Sequence, residues 1–183
     1  MKNIIILLTT VALVSCSSTK VFMDYDKDVD LKSYKTYNYF LSEDTGLSEL
    51  DEKRVIEAID SILPQKGFPQ KTIPDFNVNF YAETYTVNSQ SSIGVGLGGG
   101  GGRVGGGVSG GIPINTSKDM IALTIEFVDA LNKELFWQAV VETRLKPKQN
   151  PTERQAFFNM MVLKALEKYP PQPNKTKKRK SKL

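Results

Sequence analysis

One thiol, four alternating aspartates and a complete lack of imidazole set the limits on what chemistry this sequence can offer. The 183 residues contain no histidine, which removes the commonest general base, proton shuttle and metal ligand together. A Ser-His-Asp or Cys-His nucleophilic site is therefore excluded. The single cysteine, Cys16, leaves no partner for an internal disulfide and no means of building a Cys/His zinc site. Asp24, Asp26, Asp28 and Asp30 alternate in a way that suggests a calcium loop. An EF-hand starting at Asp24 would, however, need glycine at its sixth position and glutamate at its twelfth, where Val29 and Lys35 stand. These acids read as a solvated strand end, and no metal, cofactor or catalytic residue is expected. A hydrolase working through Asp24 and Asp26 would need the two acids to converge in a cleft with separated pKa values, so that reading ranks last.

The thiol has a different use. Met1-Lys2-Asn3 gives a positive start, and Ile4 to Val14 is an apolar run interrupted only by Thr9 and Thr10. That run has the length of an export signal and falls short of the roughly 20 apolar residues that cross a bilayer. Leu13-Val14-Ser15-Cys16 follows, which resembles the bacterial lipobox. Small Ser15 admits the scissile bond to a peptidase, and only a thiol supplies the thioether to diacylglycerol. The expectation is a signal peptide over 1–15, cleavage between Ser15 and Cys16, and lipidation of Cys16, with 16–20 as a linker. Two or three acyl chains make such an anchor stable, whereas one is marginal. Ser17 stands where an aspartate would favour retention at the inner membrane, so the outer membrane is the expected address. The terminal Ser181-Lys182-Leu183 matches a peroxisomal signal, which a bacterial export leader makes a coincidence.

Charge divides the chain. The net +4 arises from the end: Lys175, Lys177, Lys178, Arg179, Lys180 and Lys182 lie in the last nine residues. Without those six and Lys2, 17 cations face 20 anions, so the body is mildly acidic and has nothing of a nucleic-acid-binding face. The tail, 172–183, is too polar to join a core and reads as disordered. It could meet anionic lipid headgroups or an acidic envelope polysaccharide, each cation near such a surface being worth about 1 kcal/mol.

A glycine-rich insert over 94–111 carries Gly94-Val95-Gly96-Leu97-Gly98-Gly99, a formal match to the dinucleotide fingerprint. In that fingerprint the glycines lead into a helix whose N-terminus holds the pyrophosphate. Here more glycines follow, so nucleotide binding is not expected. The insert reads first as a flexible loop between two strands, and second as an extension of those strands into a ribbon able to pair with another chain or lie against a membrane.

Around these features the chain must build one domain, 21–171, since its composition of 40% hydrophobic and 24% charged residues is that of a globular protein. Val21, Met23 and Tyr25 alternate against Phe22, Asp24 and Asp26 as in a half-buried strand, and Tyr34 to Leu41 reads as a second. Ser48-Glu49-Leu50-Asp51 resembles a capping box, and Val55, Ile56, Ile59, Ile62 and Leu63 form a helical face that Gly67 ends. Phe76, Val78, Phe80 and Ala82 alternate and then slip phase to Tyr85 and Val87, which suggests a bulge. Ile121 to Phe127 and Leu135 to Leu145 predict a hairpin turning near Asn132-Lys133. Asn150-Pro151-Thr152-Glu153 opens a last helix with a face of Phe158, Met161, Val162, Ala165 and Tyr169, stopped by Pro170-Pro171. The order implies an α+β two-layer sandwich: a mainly antiparallel sheet of about five strands with two helices on one face. Trp137 shares its strand face with Leu135, Ala139 and Val141 and belongs to the core. Tyr34, Tyr37 and Tyr39 occupy both faces of one strand, so one set should point outward as a binding surface.

Taken together, Asp24-Tyr25-Asp26 with Tyr34-Lys35-Thr36-Tyr37, Gly67-Phe68, Asp75-Phe76, the central glycine run, Asp129 with Trp137, and Pro170-Pro171 resemble the lipoprotein family of domain of unknown function 4136. The resemblance covers about Val21 to Pro171. It implies a lipid-anchored envelope domain and carries over no catalytic residue; the basic tail falls outside it. The expected role is a non-enzymatic binding or assembly module facing the periplasm. The alternative is a carrier of a small apolar or lipid ligand held between sheet and helices.

Overall fold

The computed structural model describes residues 19–41, 44–94 and 111–171. Ser15, Cys16 and the rest of the leader, most of the glycine-rich insert and the tail 172–183 lie outside the described residues. The elements are β1 (Lys20–Tyr25), β2 (Tyr37–Tyr39), α1 (Glu49–Ile62), a 3-10 turn (Pro64–Lys66), β3 (Phe76–Gly94), β4 (Gly111–Asp129), β5 (Leu135–Arg144) and α2 (Pro151–Leu166). The strands form one open sheet in the order β1-β5-β4-β3-β2, antiparallel throughout except where β2 runs parallel to β3. This is the α+β arrangement that the periodicity implies.

Alternation decides which face of the sheet the helices cover. Phe76, Val78 and Phe80 of β3, Leu123, Ile125 and Phe127 of β4, and Trp137, Ala139 and Val141 of β5 are fully buried, and Val55, Ile59, Phe158, Met161 and Val162 meet them from the helices. Most of the residues between them on the strands, among them Asn79, Glu126 and Gln138, are only half-buried, the exception being buried Thr124. Both helices begin where their caps place them. Ser48 caps α1 by accepting from Asp51 N, and Asn150 and Glu153 form a reciprocal capping box with Pro151 in the first turn of α2. Pro64 has no N–H to donate, so α1 stops at Ile62 and a 3-10 turn carries the chain to Gly67, which adopts φ 92°.

Three sequence expectations change. The second strand is three residues long instead of eight, because Tyr34 to Thr36 belong to the segment that crosses from one edge of the sheet to the other. The expected bulge near Ala82 is not there: β3 and β4 pair without a break from Phe76↔Asp129 to Gly94↔Gly111, and the irregularity lies between Phe127 and Val128, opposite β5. The change of apolar phase has another cause. Helical cover ends near Ala82, and beyond it Tyr85 and Val87, at 38% and 42% exposure, occupy the parity of the open face. Finally, both strands run further than Val87 and Ile121 suggest and reach the borders of the glycine-rich insert.

Candidate interaction site

The three tyrosines singled out by sequence turn inward. Tyr37 is 1% exposed, and its hydroxyl donates to Asp60 Oδ1 at 2.7 Å; the half-buried Tyr39 donates to the same oxygen at 2.6 Å. Their rings meet edge to face at 5.7 Å. Both lie on the helix-facing parity of β2, so together they tie this edge strand to α1. Tyr34, outside the strand, stacks flat on Phe136 at 4.0 Å and donates to Asp129 Oδ2 at 2.9 Å. Burial, reinforced by Asp129, raises the Tyr34 hydroxyl to about 12, and burial with Asp60 raises Tyr37 and Tyr39 as well. These phenols stay protonated donors. The outward tyrosine surface is thus corrected: with β2 so short, the alternation that would expose one set never applies.

The carboxylates are engaged in the same way. Asp24 Oδ1 accepts from Tyr25 N, Asp26 Oδ1 from Asp28 N and Asp30 Oδ1 from Lys32 N, the local turns of a strand end. Asp75 Oδ2 accepts the backbone N–H groups of Lys35 and Thr36 and the Thr36 hydroxyl, which lowers its pKa. Asp129 is lowered first by the N–H of Asn132 in the β4–β5 turn. Among the described residues, no three His, Cys, Asp or Glu side chains come together as a metal site would require.

Among the described residues, two of the hollows beside the edge strand β1 face the chain around the end of α2, and sequence reasoning identified neither. One, of about 760 Å³, lies where Met23 and Tyr25 face Lys66, Tyr169, Pro170 and Pro171. Lys66 Nζ donates to the carbonyl of Tyr169 at 3.0 Å, holding the chain after α2 against the 3-10 turn. The second, of about 460 Å³, runs past Val21 and Met23 along Lys164, Ala165 and Lys168. The two share Met23, Glu167 and Lys168 in their walls. Its only sequence signal is the apolar parity of an edge strand, which looks the same whether it is covered or open.

The other prominent feature is an arm. Level with Thr84, β3 and β4 leave the body as a two-stranded ribbon and continue to Gly94 and Gly111, roughly 33 Å further. Its start is fixed by the last contacts on either edge: Ala82 N donates to the Thr45 carbonyl, and Leu145 N to the Asp119 carbonyl. Thr19 is at the same level, since Thr19 Oγ1 lies 3.2 Å from Thr143 Oγ1, and Thr143 pairs with Ile121, the partner of Thr84. The arm therefore extends from the end of the sheet at which β1 begins. No helix among the described residues is long and apolar enough to cross a membrane.

Comparison with solved structures finds a PDZ domain protein from Parabacteroides distasonis at 13% identity and a TM-score of 0.52, covering 94% of this chain and 41% of the other. The chain thus spans about two fifths of that protein's length, and the likeness concerns the fold alone. A PelC dodecamer from Paraburkholderia phytofirmans superposes at 11% identity and a TM-score of 0.41, over 81% of this chain and 96% of that one, a looser similarity. Comparison with curated proteins finds no match. A family model does match, over residues 21–171, and by that match the chain belongs to the family described as domain of unknown function (DUF4136).

Proposed function

We propose that the chain is a lipid-anchored protein of the bacterial envelope, facing the periplasm from the outer membrane, whose domain serves as a non-enzymatic binding or assembly module. The observation that carries this reading is the direction of the arm. Thr19 lies only three residues after Cys16, about 10 Å of extended chain, so an anchor at Cys16 holds the arm's end of the sheet toward the lipid. A ribbon with unpaired backbone edges is suited to docking and contributes nothing to a catalytic cleft. The engaged state of Asp51, Asp60, Asp75 and Asp129 supports the same reading, because each carboxylate already serves the fold. The basic tail adds an attraction for anionic lipid or polysaccharide.

The test is intact mass spectrometry of the protein taken from bacterial membranes. A mature N-terminus at Cys16 carrying diacylglycerol, with or without a third acyl chain, is expected, and Cys16→Ser should leave the protein soluble or uncleaved. An unmodified sulfur, or cleavage at a later bond, overturns the reading.

A second reading, carriage of a small lipid or apolar ligand, is favoured by the groove beside β1, where Met23, Tyr25, Pro170 and Pro171 supply apolar walls and Lys66, Glu167 and Lys168 a rim of mixed charge. Native mass spectrometry of membrane-extracted protein checks it: a stoichiometric lipid adduct that Met23→Glu abolishes supports carriage, and its absence removes it.

A further inference from the structure

The arm's two edges are not equivalent. In an antiparallel ladder the N–H and C=O of one residue point to the same side, and successive residues alternate. Ala82 N pairs outward with Thr45, so the even residues of β3 face away from β4. The Asp119 carbonyl pairs outward with Leu145, so the odd residues of β4 face away from β3. With the register unbroken, Thr84, Thr86, Asn88, Gln90, Ser92 and Gly94 present the outer edge of β3, while the outer edge of β4 includes Pro113. Proline has no N–H and is tolerated in a sheet only where the nitrogen faces outward, and there it blocks further pairing. The β4 edge is thus blocked at Pro113, two residues from the last described position, Gly111.

The β3 edge has no such block. Among the described residues, no backbone bond reaches it beyond Ala82, and Thr84 to Gly94 contains neither proline nor any charged residue. Natural sheets blunt exposed edges with lysine, proline or bulges, and eleven residues of β3 lack all three. Because the stretch is uncharged, two copies can approach without like-charge repulsion, which a partner chosen by electrostatics would not need. The block at Pro113 also bears on the geometry: head-to-tail pairing of β3 on β4 along the arm would propagate and would meet that proline, whereas β3 on β3 about a two-fold axis closes at two copies.

We infer that the outer edge of β3 from Thr84 to Gly94 pairs antiparallel with the same edge of a second copy, joining the two arms into one four-stranded sheet. This deepens the assembly reading above and rests on it for the biological role, but the pairing itself does not require the anchor.

The test is analytical ultracentrifugation and native mass spectrometry of the full chain in detergent, repeated with Cys16→Ser. A dimer is expected in both. Asn88→Pro deletes an outward N–H and spares the β3–β4 ladder, and Asn88→Lys places like charges across the axis; each should weaken dimerisation at least tenfold with the melting transition of the body retained. Pro113→Thr restores the missing donor on β4 and should produce species larger than a dimer. The inference is overturned by a monomeric wild type, by wild-type assemblies larger than two, or by a dimer that Asn88→Lys leaves intact. A dimer lacking lipid on Cys16 would sink the anchor and keep the pairing; a lipidated monomer would do the reverse.

Discussion

Arg154 in the first turn of α2 grips Asp51 in the first turn of α1 with two parallel bonds, Nη2 to Oδ2 at 2.8 Å and Nε to Oδ1 at 3.1 Å. Arg54 adds a third at 2.7 Å, and the Arg154 guanidinium also lies 5.0 Å from the centre of the Phe158 ring. The carboxylate thus crosslinks the two helices where both begin, at one end of the layer that covers the sheet. Burial alone would raise the Asp51 pKa; the hydrogen bond and charge of Arg154, followed by Arg54, outweigh it and lower the value. Since the native state holds this proton less tightly than the unfolded chain, the stabilisation is complete above the ordinary pKa of 3.8 and is lost as pH falls through the lowered native value. Arg154→Met should cost about 2 kcal/mol, less than for a fully buried pair because the guanidinium is partly exposed and Arg54 remains. Asp51→Asn should also flatten the acid limb of stability against pH, measured by urea unfolding between pH 2 and 6.

The buried phenols make the opposite prediction at alkaline pH. Tyr34, Tyr37, Tyr39 and Tyr169 all have raised pKa values, each chiefly through burial. A raised native pKa gives stability that is fully present below the ordinary value of 10 and declines as pH rises beyond it, because the unfolded chain ionises first. Absorbance of phenolate should therefore show these four of the seven tyrosines ionising only with global unfolding. Four groups titrating reversibly near 10 with the fold intact would contradict the brace formed by Tyr37, Tyr39 and Asp60.

What could be read in the sequence was what depends on local order. Caps at Ser48 and Asn150 and the alternation through Phe76–Ala82 and Ile121–Phe127 are short-range signals, and each stands where its residues place it, whereas the first helix ends at Ile62, before Pro64, and Gly67 closes the 3-10 turn that follows. The inward turn of Tyr34 was not legible, because it depends on Phe136 and Asp129, about a hundred residues away. Nor was the arm's length: Asn88 to Ser92 are polar residues of the kind that fill loops, and only pairing with the strand across the insert makes them a ribbon. The groove beside β1 is formed by the chain after α2 folding back on the strand, and such a juxtaposition leaves no pattern in either segment.

Two glycines separate steric from conformational strain. Gly46 has φ 67°, and a Cβ there would lie 2.1 Å from the carbonyl oxygen of Ala82, where the Thr45–Gly46 segment closes onto the edge of β3. Gly67 has φ 92° with nothing within 4 Å. Gly67→Ala should therefore cost only the left-handed backbone penalty of about 1 kcal/mol. Gly46→Ala adds a backbone clash and should cost about 3 kcal/mol or more. It should also detach the cover from β3, extending the free edge inward and increasing hydrogen exchange at Ala82. Equal costs for the two variants would mean that the approach of Gly46 to Ala82 is not held in solution.

Tyr169 tests how the core tolerates a polar atom. Its ring is wedged against Phe127 at 4.7 Å and Trp137 at 5.0 Å, and neither the Tyr169 hydroxyl nor Trp137 Nε1 has a hydrogen-bond partner among the described residues. A buried hydroxyl without a partner costs about 1–3 kcal/mol in lost hydration, whereas the ring's dispersion contacts do not depend on it. Tyr169→Phe should keep the packing, remove the penalty and stabilise the domain by about 1 kcal/mol, whereas Tyr169→Ala should lose about 4 kcal/mol by opening a cavity beside Trp137. Thermal and urea denaturation of the two variants measure both effects. A destabilised Tyr169→Phe would show that the hydroxyl does find a partner in solution, and Trp137 fluorescence would then be expected to shift as that partner is lost.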